Sequence, residues 1–483
     1  MNYRMLRYLL GCILLIEALL LLLPLATAMI YKEDVLPFVY TICMLLVISV
    51  PCVILKPKNT NIYAREGFVC VSAAWILLSV FGALPFVFSG AIPSFIDALF
   101  ETVSGFTTTG STILNTIEGL PHGILLWRSF THWVGGMGVL VFMLAILPSA
   151  GGEAIHLMRA EVPGPTKGKL VPKMRQTALI LYGIYVVLTI AQMIALMLCG
   201  LPLFDSIVNS FATAGTGGFS VLNSSIAGYA NPAAEWVIAI FMILFGINFN
   251  LFFFILIGKI KDMLKSEELR VYLSVIVVSV VAIFINTFQI IGNFGDTIRT
   301  AFFQVASIIT TTGFVTVEFN DWPVLSKTVL TLLMIIGACA GSTAGGLKIS
   351  RIIILFKNIF REIKHMIRPK SVNVIRVDGE VISDETVRSA TGYLTVYMLA
   401  IIVCFLLISI DHTDPELSME TNLTATLSCI NNIGPALGDI GAMGNFSVFS
   451  PFSKVVLTFA MLFGRLEFVP MIVFFSPYAW KKR

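Results

Sequence analysis

The sequence predicts an all-α integral membrane protein built from four re-entrant hairpins around a common axis, preceded by two extra N-terminal transmembrane helices. Three observations predict it. Of 483 residues, 57% are hydrophobic and 12% charged, with a mean hydropathy of +0.90, a composition far from that of soluble domains. Ten mainly apolar runs lie at 8–29, 35–55, 67–90, 124–148, 176–200, 234–258, 271–292, 326–346, 391–410 and 453–475. Each has about the 20 residues a helix needs to cross roughly 30 Å of hydrocarbon. Between the later runs, one short stretch ending in a glycine turn recurs four times, and such a repeat has to be read before any single motif.

The first run, after MNYRMLRY and before Ala26 to Ala28, imitates a signal peptide. It is too long for one, carries Glu17, and is followed by a second span, so it reads as a retained helix. With a cytoplasmic N-terminus, the inside segments 1–7, 56–66, 149–175, 259–270, 347–390 and 481–483 hold 26 of the 32 Lys and Arg residues, as the positive-inside rule requires. Lys32, Arg128, Arg299, Lys327 and Lys454 count as outside charges, and Arg465 falls within a span. The net charge of +4 follows from this topology and gives no sign of nucleic-acid binding. Eight cysteines sit in or beside apolar runs without CxxC spacing, and five histidines form no metal-ligand pattern. These read as core fillers and imply no metal site.

The repeated stretches are DALFETVSGFTTTGS (97–111), DSIVNSFATAGTGGF (205–219), TAFFQVASIITTTGF (300–314) and TNLTATLSCINNIGP (421–435). They align without a gap, and a capping-type residue (Asp97, Asp205, Thr300, Thr421) stands 13 positions before a glycine (Gly110, Gly218, Gly313, Gly434). Asp and Thr satisfy orphan N–H groups at a helix start. About ten helical residues rise only about 15 Å, which does not span a bilayer. Such a segment can enter from one face, stop midway and return as extended chain if that backbone is buried or lines water. A single copy reads equally well as a surface loop helix; four in register point to hairpins around one axis. Carbonyls from four extended segments can replace the hydration shell of a monovalent cation, and the negative ends of short helices aim at it. Glycine supports this because aiming carbonyls at an axis calls for backbone angles that a Cβ penalises. Thr107 to Thr109, Thr216 and Thr310 to Thr312 add hydroxyls that either pack the segment or serve as ligands.

These stretches, with WRSFTHWVGGMGVLVFMLAILP (127–148), TAGTGGFS (213–220), GACAGSTAGGLKISR (337–351) and FGRLEF (463–468), make the chain resemble the Trk/Ktr/HKT superfamily of potassium transporters, closest to its TrkH/TrkG branch. The resemblance covers nearly the whole chain. It implies four tandem membrane-pore-membrane repeats in a pseudo-four-fold arrangement, at 61–150, 170–262, 268–360 and 385–480, after a two-helix extension at 1–60. It further implies a potassium selectivity filter of Thr108, Thr109 and Gly110; Thr216, Gly217 and Gly218; Thr311, Thr312 and Gly313; and Asn432, Ile433 and Gly434. A serine at the first filter glycine accompanies sodium permeation in this family, so Gly110 favours potassium. The fourth strand, NNIGP, departs from the Thr-rich pattern of the first and third, and the second departs in part.

Counted from the filter glycine, Arg465 lies at +31, where the other units have Val141, Phe249 and Ala344. An arginine inside a span faces water or a partner. One reading pairs it with Glu467 or a neighbouring carbonyl, although residues two apart on a helix do not share a face. The other makes Arg465 a positive barrier below the filter, with Gly341, Ser342, Thr343, Ala344, Gly345 and Gly346 forming a flexible loop that closes it; the resemblance implies this gate. Lys348, directly after the loop, reads as a side chain snorkelling to the interface. The resemblance also implies a homodimer controlled by a cytosolic TrkA-type nucleotide-binding subunit, for which the basic segment 347–390 is the expected contact. GPTKGKL (164–170) has three residues between its glycines where a Walker loop has four, so this chain itself is not expected to bind ATP. K+ is the expected transported ion, with no organic cofactor, and the surrounding medium is membrane lipid. An intramembrane enzyme is the competing class, but the spans carry no paired carboxylates, Ser–His or Ser–Lys arrangement or metal motif. A structural or receptor-like protein has no use for four equivalent pore segments. Glu17, Glu467 and His132 are the candidates for a titratable relay.

Overall fold

The computed structural model describes residues 1–57, 62–138, 174–371, 373–411 and 416–481. Val141 and the glycine-lysine stretch 164–170 lie outside them. Six apolar helices among the described residues are long enough to cross a membrane unaided: Tyr3–Tyr31, Leu36–Ile54, Ala64–Phe88, Ala178–Leu198, Glu267–Ile291 and Asp384–Ile410. The first two form the N-terminal extension and pack on each other and on the first unit. The remaining four open the four units. Their outward faces carry exposed aliphatic residues such as Val277, Val278, Val281 and Ile285 on the third, and Leu399, Ile402, Val403 and Leu406 on the fourth. In lipid these side chains are solvated by acyl chains, so the faces need no protein cover.

Each outer helix is followed by a short pore helix: Phe95–Phe106, Leu203–Gly215, Phe294–Ile309 and Met419–Asn431. The expected caps shift by three residues or more. Ser94, Asn293 and Ser418 accept the first free N–H groups of the first, third and fourth pore helices, and Pro202 precedes the second. Asp97, Asp205 and Thr421 stand within the first turn, where an acidic or hydroxyl side chain also favours the positive helix end, and Thr300 lies well inside its helix. The polar side chains of these stretches, among them Thr102, Ser104, Asn209, Gln304 and Thr426, are buried in protein.

The last helix of each unit, the inner helix, is expected as one apolar span, interrupted only in the third by the loop at Gly341 to Gly346. All four are interrupted or end early. The first, His122–Gly136, stops at a glycine pair. The second breaks between Pro232–Phe245 and Phe249–Leu256 with a bend of 94°. The third stops after Val324–Ile336 and resumes as Ile349–Ile367. The fourth ends at Arg465, with Glu467 and Phe468 at positive φ before Val469–Phe475. Mean hydropathy runs through these breaks because their residues are small or apolar. The only strands among the described residues are a two-residue hairpin, Arg376–Val377 against Glu380–Val381, beyond the third unit.

Each inner helix packs on the pore helix of the following unit, the first on Leu203–Gly215, the second on Phe294–Ile309 and the third on Met419–Asn431. The fourth returns to Phe95–Phe106 and closes the circle. The fold is therefore the pseudo-four-fold ring of units expected from the sequence, with the pore helices at its centre.

Candidate functional site

At the end of each pore helix the chain makes the same turn. Thr108, Thr216, Thr311 and Asn432 have φ of 57°, 56°, 55° and 56°, and the glycines two positions on, Gly110, Gly218, Gly313 and Gly434, have φ of 82°, 78°, 80° and 104°. The residue between them donates its N–H five residues back into the pore helix every time. Thr109 reaches Ser104 O at 2.8 Å, Gly217 reaches Ala212 O at 2.8 Å, Thr312 reaches Ser307 O at 2.9 Å and Ile433 reaches Ser428 O at 3.0 Å. This is a left-handed helix cap. Such a cap usually falls on glycine or asparagine, and a β-branched threonine in it stores strain that the surrounding packing must hold.

The glycines then bring the strands together. A Cβ on Gly110 would run into Gly217 O, one on Gly218 into Thr312 O, one on Gly313 into Ile433 O and one on Gly434 into Thr109 O. The carbonyls that precede the four glycines thus sit around one closed ring, taken in sequence order. Only glycine fits at these four positions, by φ and by space.

The hydroxyls behind the ring mostly pack. Thr107 Oγ1 lies 2.8 Å from Thr109 Oγ1 and donates to Val103 O at 2.6 Å, and Thr310 repeats this with Thr312 at 2.7 Å and Ala306 O at 2.6 Å. Thr216 donates to Gly215 O. In the fourth strand Asn432 takes the threonine position and crosses the seam, donating to Thr109 Oγ1 at 2.9 Å and to Met461 O at 3.0 Å. His132 is fully buried behind the second strand, with Nδ1 2.7 Å from Gly105 O. A Cβ on Gly217 would strike the His132 ring.

Below the ring, residues 337–348 form a non-helical loop with Gly337, Gly341, Gly346 and Lys348 at positive φ. It is tied on every side. Cys339 donates to Gly246 O at 3.1 Å, Phe249 donates to Gly341 O at 3.0 Å, and Ala340 donates to Glu268 Oε1 at 2.7 Å. Ser342 donates to Cys339 O, and Thr343 to Phe245 O at 3.3 Å. Gly345 donates its N–H to Thr311 Oγ1 at 2.6 Å, which links the loop directly to the third strand. A Cβ on Gly345 would strike Asn431 O.

Arg465 reaches across this level. Its Nη1 donates to Thr343 O at 2.8 Å, and its Nη2 to Gly135 O at 2.6 Å and Gly136 O at 2.8 Å. It therefore joins the loop to the broken end of the first inner helix. Glu467 turns elsewhere and accepts from Arg351 Nη2 at 2.5 Å, while the Arg351 guanidinium lies 4.0 Å from the centre of the Tyr393 ring. Lys348 does not snorkel. It is buried and donates to Ala344 O, because the turn after the loop points it back into the protein. Glu17 is likewise fully buried, far along the chain from this level.

Sequence reasoning missed one pair. Arg128, counted among the outside charges, is 2% exposed and ion-paired at 2.5 Å with Glu101, which is 0% exposed. The signal was available: Arg128 stands within an apolar run and deserved the same question as Arg465.

Four equivalent re-entrant segments closing a ring, with a loop and an arginine beneath it, define a multi-pass membrane protein of the pore-loop transport class. The chain belongs to the TrkH family: the model of that family, described as a cation transport protein, matches residues 37–482. It is 36% identical over 490 residues to the Trk system potassium uptake protein TrkH of Salmonella typhimurium, covering 100% of both chains. It is 33% identical over 491 residues to the Trk system potassium uptake protein TrkG of Escherichia coli K12, covering 99% of both. The crystal structure of the potassium transporter TrkH from Vibrio parahaemolyticus superposes with a TM-score of 0.88 at 32% identity over 100% of both chains. The protein is a transporter and not an enzyme.

Proposed function

We propose that this chain takes up potassium across the bacterial cytoplasmic membrane as the membrane subunit of a Trk system, with the ring of four strands as its selectivity filter. The observation that carries the reading is the repeated turn. Four segments, two reading TTTG and two departing from it, adopt the same pair of positive φ values and the same backward hydrogen bond, and their carbonyls meet around one axis. Carbonyls so held can substitute for the water shell of an ion without further reorganisation. The relatives named for potassium uptake support K+ as the ion, and Gly110 at the first filter position agrees with it.

The loop of Gly341, Ser342, Thr343, Ala344, Gly345 and Gly346, closed by Arg465 and braced by Lys348, is the gate. Arg465 places a fixed positive charge at the level every cation has to pass, and its three carbonyl partners hold it there. A homodimer is the expected assembly, and a cytosolic TrkA-type nucleotide-binding subunit acts on the gate through the basic helix Ile349–Ile367, which continues directly from the loop. Membrane lipid covers the outer helices.

Rubidium uptake into proteoliposomes tests both parts. Gly313→Ala is expected to abolish uptake, since its methyl would occupy the space of Ile433 O. Arg465→Ala, and separately deletion of Gly345 and Gly346, are expected to raise uptake in the absence of any partner subunit by about tenfold or more, the equivalent of losing one charge-assisted hydrogen bond from the closed state. Undiminished uptake by Gly313→Ala would sink the filter reading. Unchanged basal uptake in both gate variants would sink the gate.

A further inference from the structure

The buried pair of Glu101 and Arg128 lies behind the outer mouth of the ring. Arg128 Nε meets Glu101 Oε1 at 2.5 Å, and its Nη1 donates to Ser220 O at 3.0 Å. The guanidinium also lies 3.7 Å from the centre of the Phe219 ring. Glu101 accepts from Thr112 Oγ1 at 2.9 Å through one oxygen and from Ile113 N–H at 3.0 Å through the other. Thr112 and Ile113 stand two and three positions after Gly110, and Phe219 and Ser220 one and two positions after Gly218. One ion pair therefore grips the first strand by its carboxylate and the second by its guanidinium.

The pair occurs once around the ring. The residues in register with Glu101 are Asn209, Gln304 and Ala425, and those in register with Arg128 are Trp236, Thr331 and Phe452. Close to that register the third and fourth strands have neutral contacts, Gln304 Nε2 to Thr316 Oγ1 at 3.2 Å and Leu437 N–H to Thr424 Oγ1 at 3.0 Å, while further out the Glu318 carboxylate accepts the N–H groups of Ala442 at 2.7 Å and Met443 at 3.1 Å. A buried ion pair costs desolvation that apolar packing avoids, so stability alone does not explain one here. What it supplies is geometry: the guanidinium fork fixes two acceptors at set distances and directions, which a neutral side chain of that length does not.

We infer that Arg128, held by Glu101, is a positioning residue that fixes the spacing of the first and second strands and so sets how strongly the pore rejects cations smaller than potassium. The inference rests on the filter reading above. Binding a smaller ion requires adjacent strands to close around it, and a rigid tie between two of them opposes that closure. The second strand lacks the paired threonine hydroxyls that brace the first and third, so it is the strand that gains most from the tie.

Purified protein in proteoliposomes, with reversal potentials recorded in opposed potassium and sodium gradients, tests this. Arg128→Lys keeps the charge opposite Glu101 and loses the fork to Ser220 O; Glu101→Gln keeps an acceptor for Ile113 and loses the charge that holds Arg128. Each is expected to lower the potassium-to-sodium permeability ratio about tenfold, the equivalent of one charge-assisted hydrogen bond, with potassium flux of the same order as in the unchanged protein. A ratio equal to that of the unchanged protein in both variants overturns the inference. So does a loss of potassium flux at unchanged ratio, or the failure of both variants to assemble, since either makes the pair a folding element. An unchanged protein without any potassium preference would overturn the filter reading itself, which the same recordings report separately.

Discussion

Thr311 shows how much of the site turns on single atoms. Its φ of 55° puts the hydroxyl at the lower edge of the third strand, where it accepts the Gly345 N–H of the loop. Thr311→Val keeps the β-branched shape and removes the acceptor. The buried Gly345 N–H left behind costs about 1–3 kcal/mol, and the expected result in single-channel recordings is a higher open probability at unchanged conductance. Asn432 is the counterpart in the fourth strand. Asn432→Thr restores the residue used in the other three strands but gives up the bonds to Thr109 and Met461. It is expected to lower thermal stability by about 1–3 kcal/mol, read as a shift in the detergent melting curve, with flux retained. The four glycines of the ring were legible in the sequence as turn positions because spacing and residue type agreed at each. The left-handed threonines were not, since local preference speaks against a β-branched residue there and only the surrounding ring over-rules it. Lys348 was misread for a similar reason: its own positive φ of 75° turns it inward, and no neighbour in sequence announces that.

At the scale of elements, the inner helices carry the lesson. Their apolar content identified them, and the loop within the third was expected, but the breaks at Gly246 to Asn248 and after Arg465 are set by tertiary contacts. Phe249 N–H turns to Gly341 O, and Cys339 N–H to Gly246 O, so the second and third breaks satisfy each other's backbone groups. Hydropathy averages over such exchanges. The third and fourth breaks are joined as well. Arg351, in the first turn of Ile349–Ile367, holds Glu467 two residues past Arg465, and Tyr393 lies between Arg351 and Phe468, its ring centre 5.6 Å from that of Phe468. A helix that leaves the loop is thus fastened to the turn that follows Arg465. Glu467→Gln removes the charge and is expected to loosen that turn by about 1–3 kcal/mol, which would show as a raised basal rubidium leak in proteoliposomes and a smaller further increase on Arg465→Ala than in the unchanged background. Full additivity of the two changes would show that the link plays no part in gating.

On the scale of the whole molecule, the ring was legible and the contacts that close it were not. Internal repetition showed four units, whereas the ties that join the last unit to the first connect residues more than three hundred positions apart. Asn432 to Thr109 spans 323 positions, and Lys454 to Asp97, at 2.7 Å, spans 357. Phe446 N–H to Thr112 O, at 2.8 Å, adds a backbone tie across the same seam. Asp97→Asn is expected to open this seam preferentially, costing about 1.5–3 kcal/mol in a partly buried charge-assisted contact. Its mark would be hydrogen exchange rising along the first pore helix and the fourth inner helix, with the second and third units unchanged.

Strands set around the axis in order of synthesis also fix when the pore comes into being. A chain emerging from the ribosome holds three of its four strands while the fourth is still unmade, with one flank open to lipid and no continuous ring of oxygens. The seam that completes it is laid down only after Asn432, and the arginine beneath arrives 33 residues later, at Arg465. On the reading proposed above, the residues that complete the ring and the arginine beneath it are delivered within one short stretch of synthesis at the end of the chain.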